Sequence, residues 1–91
     1  MEPEPKAIVG RNIKAAREAA GLTQEELADR AGMHTMEISR YERGVRDLRM
    51  STVARLADGL EIPAAVLVDG LGATTKKAPG SGDGDEGPGE A

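Results

Sequence analysis

Ninety-one residues with a formal net charge of −4, no cysteine, no tryptophan or phenylalanine and a single tyrosine leave room for one small domain with an aliphatic core. The missing cysteine excludes a disulfide framework and thiolate chemistry. One histidine, no glycine-rich phosphate loop and no carboxylate pair in a predicted cleft argue against an enzyme, a cofactor or a metal site.

The chain opens without an apolar signal region and contains no apolar run of membrane length, so a cytoplasmic protein is expected. Residues 1–6 carry two Glu-Pro pairs and are expected to form a disordered N-terminal extension. A folded domain is expected over residues 7–69. Its first helix is predicted from Ala7 to Ala20, rich in alanine and free of proline, with Val9, Ile13, Ala16 and Ala20 near helical spacing and Gly21 as its end. Arg17 falls near the inward edge of that helix. A charge there needs a partner, and Glu42, on the far side of the turn motif, is the candidate; the alternative is that both side chains reach solvent separately.

From Thr23 to Gly44 the pattern is that of two short helices about a tight turn. Thr23 with Glu26 three residues on forms a capping box, in which each end satisfies a free backbone N–H of the first turn, and Leu22 and Leu27 take the staple positions. Leu27, Ala28 and Ala31 turn inward, and Ala28 is small enough for a second helix to cross closely. Gly32 can take the left-handed conformation that ends a helix. The third helix is predicted from Met33 to Arg43, with Met33, Ile38 and Tyr41 inward and Thr35, Met36, Glu37, Arg40 and Arg43 outward.

Residues 45–50 read as a loop carrying Arg46 and Arg49. A fourth helix is predicted from Ser51 to Gly59 with Val53, Leu56, Ala57 and Leu60 on one face, and a short fifth after Pro63, from Ala64 to Val68. The fold class is therefore all-α, five helices and no strands. Val66, Leu67 and Val68 are more apolar than a small terminal helix needs, which makes helix five a candidate homodimer seam. Residues 70–91 are rich in Gly, Pro, Ser and acid and are expected to be a disordered acidic tail, open to a protein partner. Its Asp83-Gly84-Asp85-Glu86 run superficially resembles a calcium loop but lacks the later bidentate glutamate and the flanking helices.

The acidic average hides a division. Between Lys6 and Asp69 ten basic residues balance ten acidic ones, and the excess negative charge lies in the flanks. Within the domain Arg40, Arg43, Arg46 and Arg49 recur every three residues and make a local basic edge beside the outward face of the third helix. Two steeply crossing helices, one with a polar outward face and a basic rim, suit the major groove of double-stranded DNA.

These residues resemble a known family. Gly21-Leu22-Thr23-Gln24-Glu25-Glu26-Leu27-Ala28, Ala31-Gly32, Ile38-Ser39-Arg40, Glu42-Arg43-Gly44 and Thr52 to Ala57 followed by Leu60 are similar to the helix-turn-helix domain of lambda-repressor and Cro-type regulators, the xenobiotic-response-element (XRE) family. The resemblance runs from Val9 to Leu67. It implies a compact lambda-repressor-like fold in which Thr35, Met36 and Arg40 face base edges; Glu37, beside them on the same face, is a further candidate base contact that could accept from cytosine or merely repel the wrong register. It also implies that Gln24 and Arg43 hold phosphates, that Arg17 and Glu42 form a buried ion pair, and that the loop with Arg46 and Arg49 touches the DNA backbone. His34 stands where relatives usually carry a capping Ser or Thr and is expected to cap the helix or lie beside a phosphate. Met36 replaces a residue that is commonly polar. Leu48 and Arg49 replace the usual Pro-Ser entry to the fourth helix.

The reading is thus a sequence-specific DNA-binding transcriptional regulator, expected to be a repressor. The alternative is an antitoxin or other protein-interaction module of a toxin-antitoxin pair, with the tail or helix five binding a partner.

Overall fold

The computed structural model describes residues 3–72. Among them lie five helices and no strand: α1 Pro5–Ala19, α2 Gln24–Ala31, α3 Thr35–Glu42, α4 Met50–Leu60 and α5 Ala64–Leu67. Order and number match the sequence pattern; the ends differ. Helix α1 opens at Pro5, inside the segment expected to be disordered, because proline at the first helical position forgoes only an N–H that would be unpaired anyway. Helix α3 begins at Thr35 rather than Met33, since His34 is extended and serves as its N-cap. Met33 instead packs against the core from the turn. The expected tail from residue 73 onward, with its proposed protein partner and its calcium-like run, lies outside the described residues.

Helix α2 is delimited by the elements its sequence announces. The Glu26 N–H donates to Thr23 Oγ1 at 3.0 Å and the Thr23 N–H donates to Glu26 Oε1 at 2.8 Å, completing the box. At the other end Gly32 sits at φ 71° and the Met33 N–H reaches back to the Ala28 carbonyl at 2.9 Å. The same closure, a left-handed residue followed by an N–H bonded five residues back, ends α1 through Gly21, α3 through Gly44 and α4 through Glu61.

The core is one cluster. Val9 and Ile13 of α1, Leu27, Ala28 and Ala31 of α2, Ile38 and Tyr41 of α3, Val53, Leu56, Ala57 and Leu60 of α4 and Leu67 of α5 are all buried together. Ile13, Leu27, Ile38, Leu56 and Leu67 are sealed from solvent, each contributing about 1.5–3 kcal/mol by burial. Two expectations are corrected here. Ala20 is exposed, because α1 has ended before it. Leu67 is completely buried and closes the core, so it is unavailable to a dimer seam; of the three residues assigned to that seam Val66 is exposed and Val68 is half-buried against the core.

Two contacts set how the helices cross. Helix α1 packs directly on α3 because Gly10 has no side chain: a Cβ there would stand 2.3 Å from the Tyr41 carbonyl oxygen. Asn12, on the buried stripe of α1, donates its amide to the carbonyls of Leu67 at 2.9 Å and Asp69 at 2.8 Å, satisfying the end of four-residue α5.

Candidate nucleic-acid interface

Helix α3 rests on Ile38 and Tyr41, its two buried residues. A step of 100° per residue puts Met36, Arg40 and Arg43 in a single ridge on the opposite side, with Ser39 beside it and Thr35 and Glu37 at its two edges. The ridge is one apolar side chain followed by two cations. Among the described residues, Arg40 has neither an ion pair nor a side-chain hydrogen bond, and Arg43 makes only a long bond from Nε to the Ser39 carbonyl at 3.4 Å. Arg46 and Arg49 are exposed in the following loop, Arg49 as the N-cap of α4, and these too have no ion pair or side-chain hydrogen bond among the described residues. Four arginines within ten residues thus have no anionic partner among the described residues.

What holds the ridge in place is a buried carboxylate. Glu42, at the last turn of α3, has a side chain only 3% exposed, and an unpaired charge so deeply placed would be costly. It is fully paired. Arg17 of α1 donates Nε to Oε2 at 2.6 Å and Nη2 to Oε1 at 3.1 Å, and Gln24 of α2 donates Nε2 to Oε1 at 3.0 Å. The remaining reach of Arg17, Nη1 to the Leu22 carbonyl at 2.8 Å, ties the same cluster to the turn before α2. The hydrogen bond to Glu42 raises the Arg17 pKa above its ordinary value; burial opposes that rise, and the charges of Glu42 and Glu18 add to it. One carboxylate therefore fixes three helices at the point where α3 leaves the core.

This arrangement distributes the residues read from the sequence unevenly. Met36, Arg40 and Arg43 share the outward ridge, and Thr35 is exposed at its edge. Glu37 is half-buried, and its Oε1 accepts the His34 N–H at 3.0 Å, so part of its carboxylate already serves the start of α3. His34 contributes its backbone to that start: the Glu37 N–H donates to the His34 carbonyl at 3.0 Å, while the imidazole lies on an exposed residue. Gln24 spends one amide hydrogen on Glu42, and the other has no partner among the described residues. It braces α3 from within the fold.

Arg55 was not singled out by sequence reasoning. From α4 it donates Nε to the Ala31 carbonyl at 3.1 Å and Nη2 to the Gly32 carbonyl, closing the C-terminus of α2 at the turn that leads into α3. An exposed arginine in an amphipathic helix carries no signal of such a task. Asn12 did carry one, a polar residue at i+4 from Ile8 on an apolar stripe, where only a hydrogen-bonded side chain is tolerated.

A sequence model of the helix-turn-helix family matches residues 13–67, from Ile13 in α1 to the end of α5. The chain is 34% identical over 68 residues to control protein C.SmaI of Serratia marcescens, covering 72% of this chain and 81% of that protein. Its fold is similar to the restriction-modification controller protein C.AhdI from Aeromonas hydrophila, with a TM-score of 0.66 at 31% identity over 68% of this chain and 94% of that one. The clp gene regulator ClgR from C. glutamicum superposes with a TM-score of 0.74 at 25% identity, over 84% of this chain and all (100%) of the other. By sequence match and by fold the chain belongs to the XRE-type helix-turn-helix family.

Proposed function

We propose that the protein is a sequence-specific DNA-binding transcriptional regulator that inserts α3 into the major groove. The observation that carries this is the outward ridge Met36–Arg40–Arg43, braced from behind by Glu42 and continued by Arg46 and Arg49. Phosphate contacts from Arg43, Arg46, Arg49, Gln24 through its remaining hydrogen, and His34 supply affinity and register; Thr35, Met36 and Arg40 supply preference, with Glu37 limited to the edge of the groove. Arg40 is suited to guanine, whose O6 and N7 match its two parallel donors.

One domain of this size covers few base pairs, so the reading includes a dimer on two half-sites roughly 34 Å apart. The exposed Val66 and the edge of Val68 are what α5 offers such a seam. A dimer seated on a promoter blocks transcription by occupancy, which is the repressor reading. None of these roles is catalytic, and we assign no catalytic residue. The compared proteins named above bear controller and regulator names, which support this reading over an antitoxin. Among the described residues no helix is long and apolar enough to cross a membrane.

Sequencing the duplexes that the full chain retains from a random library is the direct test. An enriched sequence with two-fold symmetry and half-sites one helical turn apart is expected, together with lower transcription from a reporter promoter carrying it. Retention of all sequences alike at every salt concentration would reject the reading.

A further inference from the structure

Met36 is an apolar side chain at the centre of a polar ridge. It is 62% exposed, whereas Met33 packs into the turn, so core filling does not account for it. Among the described residues it is the sole large hydrophobic group that α3 shows to solvent. A thioether is flexible and polarisable, and it has no donor hydrogen to offer a base edge. The apolar group that the major groove offers is the C5-methyl of a pyrimidine, carried by thymine and equally by 5-methylcytosine.

Resting on the reading of α3 as the helix that enters the groove, we infer that Met36 is a specificity-determining residue that packs on a pyrimidine C5-methyl group. Arg40 lies one turn further along the same ridge, its Cβ about 5–6 Å from that of Met36. The methyl and the guanine read by Arg40 then fall within about two base steps of each other, at roughly 3.4 Å per step. Each half-site carries one methyl-bearing pyrimidine at that spacing.

Duplexes enriched by the full chain from a random library supply the probe. Each thymine is replaced in turn by deoxyuridine, which removes the methyl alone, and each cytosine by 5-methylcytosine, which adds it alone. Affinities are compared for the native chain, Met36→Ala and Met36→Leu, all three expected to fold because the side chain is exposed. At one position per half-site uracil is expected to weaken native and Met36→Leu binding by roughly fourfold, the worth of one buried methyl, and to leave Met36→Ala unchanged. If the Met36-dependent response is instead a gain on 5-methylcytosine, the inference stands with modified DNA as the target. Uracil losses equal in the native chain and Met36→Ala at every position, with no Met36-dependent gain on 5-methylcytosine, overturn it and leave DNA binding intact. Failure to enrich any sequence overturns both.

Discussion

The Arg17 guanidinium meets the Glu42 carboxylate with two parallel hydrogen bonds, of 2.6 and 3.1 Å, and so joins the first helix to the end of the third. Removing one member leaves the other charge without its counter-ion in a largely buried site, with only Gln24 left for Glu42 or the Leu22 carbonyl for Arg17, which costs up to about 3–5 kcal/mol, a large part of the roughly 5–15 kcal/mol that holds a small domain folded. Glu42→Ala and Arg17→Ala are therefore expected to lower the urea midpoint sharply. The Arg17→Met, Glu42→Leu double variant should recover much of that loss, because no charge is left unpaired. The pH dependence has a definite sign. The folded state raises the Arg17 pKa, so its contribution is complete below the ordinary arginine range and fades only as pH climbs through the raised value. The stability difference between the native chain and Arg17→Ala should be the same at pH 7 and pH 10. A difference that shrinks by pH 10 would show that the pair does not hold the proton as described.

That pair was legible in part: an inward-edge arginine in one amphipathic helix needs a partner, and the family resemblance pairs it with the glutamate at the end of the third helix. The boundaries of α2 were legible for a similar reason, since Thr23, Glu26 and Gly32 act on their own neighbours and need no tertiary context. What stayed hidden depends on long-range approach. Gly10 reads as a weak point in a helix until the Tyr41 carbonyl is seen against it, and Arg55 reads as solvated until the end of α2 lies under it. The seam assigned to Val66, Leu67 and Val68 failed at Leu67 because a four-residue helix can bury one side chain completely while its neighbours look equally apolar in sequence.

Glu37 has two conceivable uses, and they separate experimentally. Its bond to the His34 N–H makes it part of the start of α3, where losing a cap costs about 0.5–2 kcal/mol. Glutamine at the same place keeps an oxygen for that N–H and loses the charge. Glu37→Ala is expected to lower the thermal midpoint, and Glu37→Gln to leave it near that of the native chain. If capping is its main task, Glu37→Gln also keeps the sequence preference and binds all duplexes somewhat more tightly. A changed preference at a single base pair would instead return Glu37 to the reading residues.

Arg40 and Arg43 occupy one ridge, three residues apart, yet should fail differently. A phosphate contact is blind to sequence, so Arg43→Ala is expected to weaken cognate and random duplexes alike and to reduce the slope of log affinity against log salt by about one. Arg40→Ala should cost about 1–3 kcal/mol on the cognate site and much less on random DNA. Titrating both variants on both duplexes at several salt concentrations checks the assignment, and equal losses for Arg40→Ala on the two duplexes would remove its base-reading role.

Gly10 and Glu61 reverse the usual expectation for glycine in a helix and at its end. Within α1 alanine is the better helix former by about 1 kcal/mol, so on propensity alone Gly10→Ala would stabilise. The added Cβ would lie 2.3 Å from the Tyr41 carbonyl oxygen and 2.9 Å from that of Glu42, both backbone atoms that cannot swing aside. Helix α1 must then retreat from α3, breaking the bidentate contact between Arg17 and Glu42, and the variant is expected to unfold at markedly lower urea. At the end of α4 the opposite holds. Glu61 adopts φ 58°, the left-handed conformation that Gly21, Gly32 and Gly44 supply at the ends of α1, α2 and α3, and a side chain there costs about 1–2 kcal/mol. Glu61→Gly relieves that cost while giving back part of it as freedom in the unfolded chain, leaving a gain of about 0.5–1 kcal/mol. Urea unfolding of the two variants gives midpoint shifts of opposite sign; a loss of stability in Glu61→Gly would mean that its carboxylate does more for the fold than its backbone conformation costs.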